Sequence, residues 1–448
     1  MKAVFIFTLI FLLWAPTSQA ETLNLEQAVE RALKADPRIR EREQLVKVAR
    51  AVEQEATNAD GVIYDVNTFV GFAPRKTGDL LTTDSNGNSI SRSDVHEWEG
   101  IAPWYVARFS IIKPLNTYGK IEHYSAAAKQ NVEVKKNDIK LEQAKIKFDV
   151  NRAYYGYLTA RDSRLLLEDV KTRLNKAIKL VENWLNEGNG NAKQSDMFAL
   201  QTAVALIKRY QAEAQGLENI AITGLKVLTG IEQDKKLEVA DKKIVPVELP
   251  KESLKKLQAR ALAKRTEMLQ LTAGLNARRS LVKAKKSENK PNLYAGVIGS
   301  WAKTPARTAQ NNPFITDPFN HRLATPIVGF KWELESGRHP AQVQQAQAEL
   351  DALVEKNSFA KQGIPFQVAE QYELVHSHHT MVEELAKGSR AGRRWMISSY
   401  ADFEAGLETS DRVMSAFQGY VLAHSDYLKA VNDYNLHVIK LKSVTGDL

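Results

Sequence analysis

The chain has 448 residues, of which 44% are hydrophobic and 26% charged, with a formal charge of +9. This composition fits neither a disordered chain nor a helical membrane protein. The absence of cysteine excludes disulfides, thiol nucleophiles, thiolate metal sites and a cysteine-borne lipid anchor. Lys and Arg alternate with Asp and Glu almost throughout, the pattern of solvated helical surfaces. A nucleic-acid patch would need basic clusters interleaved with aromatics, and none is found.

The first twenty residues read as a signal peptide. Lys2 gives a positive start, Val4 to Ala15 an apolar run, and Ser18-Gln19-Ala20 the small residues of a cleavage site. The run ends at Pro16, short of the roughly 18 apolar residues a membrane anchor needs. Cleavage after Ala20 leaves a mature chain from Glu21, and loss of Lys2 lowers the charge by one, to +8. No later stretch is apolar enough to cross a bilayer as a helix, so any membrane part must be β-structure.

The remainder reads as one unit written twice, 21–230 and 251–448, joined by a linker at 231–250. Each half opens with a modest helix, Leu25 to Leu33 and then Leu254 to Ala263. The first is followed by Asp36-Pro37, the second by Arg265-Thr266. A charged helix follows each, about Arg38 to Asn58 and Met268 to Asn289. Strict alternation then predicts strands at about 62–74 and 102–115, and again at about 293–302 and 323–335. In the first, Val62, Tyr64, Val66, Val70 and Phe72 share a face, against Asp65, Asn67 and Gly71. In the second, Tyr105, Ala107, Phe109 and Ile111 oppose Arg108 and Ser110. The third aligns Leu293, Ala295, Val297 and Trp301. The fourth aligns Val328, Phe330, Trp332 and Leu334.

Each strand has about the ten residues a tilted membrane strand needs. Trp98, Trp104, Tyr105, Trp301 and Trp332 gather near the strand ends, as an interfacial girdle would. A soluble four-stranded sheet gives the same alternation. The links between strands, 75–101 and 303–321, are rich in Gly, Pro, Thr, Asn and Ser and read as exposed loops.

Very long helices complete each half. Ile121 to Glu187 contains no proline and almost no glycine, and roughly 65 helical residues extend on the order of 100 Å. The first hairpin turns at about 187–196 and returns to Leu228. The second runs from about Gln342 to Ala405, turns at about 403–411 and returns to Val444. Gly363-Ile364-Pro365 is expected to interrupt its outgoing helix, with Gly388 and Gly392 weakening it.

Four short motifs recur in order: the opening that ends in Asp36-Pro37; the passage Lys113-Pro114-Leu115-Asn116-Thr117-Tyr118-Gly119-Lys120, echoed without its proline by Leu334-Glu335-Ser336-Gly337-Arg338; the turns in which Gly190 precedes Ser195-Asp196 and Gly406 precedes Ser410-Asp411; and the endings Leu228-Thr229-Gly230 and Val444-Thr445-Gly446. Together they resemble the outer-membrane efflux family typified by TolC, across essentially the whole mature chain. The resemblance implies a mainly α fold with a membrane β-barrel. Each protomer would supply four strands and long coiled helices, and a homotrimer would close a twelve-stranded barrel continued by a periplasmic α-barrel. Loops 75–101 and 303–321 would then be extracellular.

The implied function is a passive duct of a tripartite efflux or type I secretion system, working with an inner-membrane pump, a periplasmic adaptor (membrane fusion) protein and outer-membrane lipid. The adaptor-docking tips are expected at Gly188, Gly190, Ala405, Gly406 and Leu407, although Asn189 and Asn191 are more polar than the family's usual tip. Glycine also ends helices that have no partner. The family's periplasmic constriction points to Tyr400, Asp402 and Glu404. Arg393 and Arg394 lie a few turns earlier, able to pair with the carboxylates or with a neighbouring subunit; a solvated helix end is the alternative.

Other functions are less well supported. His376, His378 and His379 lack the carboxylate spacing of a metal site, so no metal is assigned. Tyr154 and Tyr157 read as coiled-coil packing. No phosphate loop, nucleophile elbow or cofactor motif is present, so no enzyme and no cofactor are expected. The competing reading is a periplasmic coiled-coil scaffold or adaptor. That protein should have one helical hairpin between compact β-modules, and this chain has two.

Overall fold

The computed structural model describes residues 21–91, 98–188, 192–310, 312 and 314–448. The signal peptide expected at 1–20 lies outside them. In chain order the elements are β1 (Glu21–Leu23), α1 (Leu25–Ala35), α2 (Pro37–Thr57), β2 (Ile63–Pro74), β3 (Leu81–Thr83), β4 (Ser89–Ser91), β5 (Ile101–Asn116), α3 (Lys120–Asn186), α4 (Gln194–Thr229), β6 (Leu237–Val239), α5 (Leu254–Lys264), α6 (Thr266–Glu288), β7 (Asn292–Lys303), β8 (His321–Lys331), α7 (Arg338–Glu404) and α8 (Ser410–Thr445). Two compact units cut across the sequence repeats. One holds the chain up to Leu45 with Lys136–Gln270 and Asn357–Leu448; the other holds Val46–Lys135 and Leu271–Lys356.

The first unit is a helical bundle. Its core joins Leu167, Val170, Leu174, Ala177 and Val181 of α3 to Leu200, Val204 and Ile207 of α4, Met396 and Phe403 of α7, and Val413, Phe417 and Tyr420 of α8. The α3 positions step by three and four residues, the spacing of knobs-into-holes packing. Both return helices end alike. Thr229 Oγ1 donates to the Leu225 carbonyl at 2.7 Å and Thr445 Oγ1 to the Leu441 carbonyl at 3.0 Å. Gly230 and Gly446 follow in the left-handed conformation, φ 67° and 83°, where a side chain would clash with the backbone. The repeated Thr-Gly motif is therefore a repeated helix cap.

Segment 231–250, expected to be a linker, is anchored. Its strand β6 pairs in parallel with β1, Glu21 opposite Leu237. Buried Asn435 of α8 accepts from the Val247 N–H and donates to the Val245 carbonyl, both at 2.9 Å. Tyr154, fully buried, donates to Asp241 at 2.8 Å. This assigns Tyr154 to packing and anchoring.

The expected interruption at Gly363-Ile364-Pro365 is not found: α7 runs unbroken through it. Pro365 removes one backbone donor, but buried Ile364 and Val368 hold the helix on both sides. The Pro365 carbonyl takes a hydrogen bond from Gln258 at 3.1 Å. At Gly392, a Cβ would lie 3.2 Å from the Tyr420 backbone. The glycine there permits close approach of α7 and α8.

The second unit carries an antiparallel sheet in the order β2-β5-β7-β8. Prolines in the central strand β5 fall where it has one neighbour only. Pro103 pairs with Phe72 before the β7 ladder begins, and Pro114 pairs with Tyr294 beyond the β2 ladder, next to a bulge. Strand β8 stops at Lys331, short of the expected 335, because its partner β7 begins at Asn292, just after Pro291. The chain then leaves β5 through Tyr118, held at φ 52°. Its N–H donates to Asn116 Oδ1 at 2.7 Å, and Thr117 receives the first amides of α3.

The long loop 75–101 contains a short hairpin, β3 with β4, that its polar composition does not announce. Asp84 closes the turn by accepting from the N–H groups of Asn86 and Asn88. Among the described residues no helix is long and apolar enough to cross a membrane.

Candidate functional site

The sheet has two chemically different faces, and its register fixes them. Tyr64, Val66, Thr68, Val70 and Phe72 pair with Ile111, Phe109, Ala107, Tyr105 and Pro103. Ile111, Phe109 and Ala107 pair in turn with Val297, Gly299 and Trp301. These pair with Pro326, Ala324 and Arg322, and Ala295 and Leu293 meet Val328 and Phe330. This whole face lacks a carboxylate. Its side chains are uncovered: Val66 is 72% and Val328 75% exposed.

The opposite face is mixed: it carries Asp65, Asn67, Arg108, Ser110, Ser300 and Thr325 alongside Ile63, Phe69, Ile298 and Leu323 in the same ladders. Exposed apolar surface of this extent marks an interaction with a membrane or a protein. Edge strands β2 and β8 each leave one row of backbone groups without a partner strand among the described residues.

The expected aromatic girdle needs correction. Tyr105 and Trp301 lie on the apolar face. Trp104, one residue before Tyr105, necessarily points the other way. It pairs with Gly71 and packs edge-on against Phe69 and Phe319, with centroids 5.1 Å apart in each case. Trp98 and Trp332 lie outside the strands; the Trp332 indole donates to the Asn289 carbonyl at 3.0 Å.

Helical turns form the second candidate region. After α3, Gly188 adopts φ 68°; after α7, Gly406 adopts φ 74°. Gly190 lies outside the described residues. In the second turn the N–H of Gly406 donates to the Phe403 carbonyl and that of Leu407 to the Asp402 carbonyl, at 2.9 and 2.8 Å. This cap leaves Leu407 80% exposed beside exposed Ala405. The Asp196 carboxylate reaches back to the Lys193 N–H at 2.9 Å, and its other oxygen accepts from buried Ser410 Oγ at 2.6 Å. The two turns are thus pinned together. The repeated Ser-Asp pairs are visible in the sequence, but nothing local shows that one reaches across to the other.

Of the expected constriction residues, Arg393, Arg394, Asp402 and Glu404 are exposed. None forms an ion pair with another described residue, so the intrachain Arg–carboxylate pairing considered above is absent. Tyr400 is partly buried, its ring 6.3 Å from Phe417. Burial, and then the nearby Glu404 charge, raise its hydroxyl pKa.

The histidine cluster is resolved differently from its sequence spacing. His378 stacks on His437 of α8 at 4.6 Å, His379 packs on Tyr434, and His376 on Tyr372. Among the described residues no group of three or more potential ligands is placed to hold a metal.

No protein-family model matches the sequence, and no curated protein matches it. Solved structures match the fold. The outer-membrane channel OprN is 14% identical, with a TM-score of 0.76 over 95% of this chain and 90% of that one. The CmeC outer membrane channel of Campylobacter jejuni is 11% identical, with a TM-score of 0.76 over 94% and 85%. The MtrE outer membrane channel of Neisseria gonorrhoeae, in its open state, is 14% identical, with a TM-score of 0.73 over 94% and 88%. The chain therefore has the TolC-like fold of these outer-membrane channels.

Proposed function

We propose that the chain is an outer-membrane channel protein, acting as the passive export duct of a tripartite efflux or type I secretion system. The observation that carries this reading is the two-faced sheet, whose apolar face is uncovered and whose edges lack a partner strand among the described residues. In lipid every backbone polar group needs a partner, so an open four-stranded sheet cannot cross alone. A homotrimer of such sheets closes a twelve-stranded barrel, with the face of Asp65, Asn67, Arg108 and Ser110 lining its water-filled interior. The helices also favour association. Leu206, Tyr210 and Leu217 of α4 are exposed along an open apolar groove shared with Leu174 and Phe417, and Ile220 and Val227 are exposed as well, a surface that neighbouring copies would cover.

In this assembly the helices lie in the periplasm and loops 75–101 and 303–321 outside the cell. The tips at Gly188, Gly190, Ala405, Gly406 and Leu407 meet a periplasmic adaptor, which links the duct to an inner-membrane pump. Exposed, protruding Leu407 supports this role best. Asp402 and Glu404, repeated in three copies with Tyr400, would narrow the duct and favour cations; Arg393 and Arg394 would face neighbouring chains.

The absence of cysteine permits a direct test. Single cysteines are placed at Asn67 and Ser110 on one face, and at Val66 and Val297 on the other. In isolated outer membranes a charged maleimide should label the first pair and spare the second. Equal labelling of all four would refute the membrane channel and leave the periplasmic scaffold.

A further inference from the structure

We infer that the apolar face of the sheet holds a binding site for the phosphate headgroup of a membrane lipid, formed by Lys303 and Arg322 around Trp301. The inference rests on the membrane reading above. Register places Tyr105 opposite Lys303, and Trp301 opposite Arg322. Lys303 and Trp301 are two residues apart on β7, so all four side chains share the outward face. Lys303 and Arg322 are then diagonal neighbours, about 7–8 Å apart at the backbone, and their long side chains can converge on one phosphate.

Charge on this face is confined to its ends. Lys113 lies at the helix end; Lys303 and Arg322 lie at the loop end; between them the face is apolar apart from Thr68. Lys303 and Arg322 are both exposed, and neither has an ion pair or side-chain hydrogen bond with a described residue. No carboxylate on the face could neutralise them. Two uncompensated cations at the rim of a hydrocarbon-facing surface call for an external anion. Guanidinium and ammonium groups bind phosphate through charge-assisted hydrogen bonds.

The surroundings favour a lipid over a free ion. Trp301 and Tyr105 are the ring types that settle at headgroup depth. The apolar ladder of Phe109, Val297 and Val328 continues below them, and acyl chains would lie along it. The site is an open surface on a strand end, so a free phosphate would keep its hydration there. A lipid is held by its chains as well.

The test uses the full-length protein purified in a non-ionic detergent. It is titrated with lipid A carrying two phosphates, and bound lipid is counted by native mass spectrometry. Each cation at a headgroup is worth about fivefold, so Lys303→Gln with Arg322→Gln should bind about 25-fold more weakly. Lys113→Gln and Lys303→Arg should bind as the parent does, and dephosphorylated lipid A should bind no better than the double variant does. Equal binding by the double variant, equal binding of dephosphorylated lipid, or full competition by inorganic phosphate would each overturn the inference. The same spectra give the particle mass. A trimer without differential lipid binding refutes only this site, whereas a monomer refutes the membrane reading beneath it.

Discussion

The sheet and the helical bundle use the same apolar residue types in opposite ways. In the bundle, Val170, Leu174, Leu200 and Val413 face inward at helical spacing and exclude water from a core within the chain. In the sheet, Val66, Phe72, Val328 and Phe330 share one face and are exposed among the described residues. The bundle carries its own driving force for folding. On the proposed function the sheet would obtain its driving force from lipid and from neighbouring copies. Stability and assembly should therefore separate by region, and substitutions can test that separation.

The largest effect is expected from a charge at mid-span on the outward face. Val66→Arg or Val297→Arg should cost about 2–4 kcal/mol per copy at the bilayer midplane. The yield of membrane-inserted trimer should collapse, whereas Asn67→Arg on the polar face should leave it near normal. If both faces respond alike, the comparison fails. Next comes the bundle core. Leu174→Ala or Leu200→Ala should cost about 2–5 kcal/mol, read as a lower melting temperature by circular dichroism, with the mass of the extracted particle unchanged.

A smaller loss is expected at the strap across α8. Asn435→Ala leaves the Val245 carbonyl and Val247 N–H without their buried partner and should cost about 1–3 kcal/mol. Its signature is faster proteolysis within 231–250, measured against the parent under native conditions.

The smallest effect is a pH dependence of the bundle. Burial lowers the pKa of His424 and of His437 from the ordinary 6.5, and His378 adds repulsion at His437. Asp162 opposes the shift at His424, as Asp433 and Glu370 do at His437; Arg393 adds to it at His424. A depressed histidine means that the unfolded chain binds protons first. The contribution is fully present above about pH 6.5 and is lost as pH falls through the folded-state values. Melting temperature should drop below pH 6.5, and His424→Gln with His437→Gln should flatten that slope. A parent with no slope there would contradict the burial of these rings.

Local periodicity made much of this legible in the sequence. Alternation at Tyr64, Val66, Val70 and Phe72 assigned a face before any partner strand was known, and the Thr229-Gly230 and Thr445-Gly446 pairs marked helix ends. What escaped depends on distant partners. Composition groups Trp104 with Tyr105 in one girdle, although neighbouring strand residues point apart. The clasp of Asn435 on Val245 and Val247, and the link from Ser410 to Asp196, join residues far apart in the chain. The β3–β4 hairpin was hidden in polar sequence. Pro365 reads as a break in the sequence because the burial of Ile364 and Val368 is not a local signal. The tip and constriction residues carry no local pattern of their own and are marked only by the family resemblance.

The most direct test of the central claim is the mass of the particle extracted by detergent from isolated outer membranes without cross-linker. The account predicts a stable trimer that a salt wash does not release. A monomer or dimer freed by salt would contradict it.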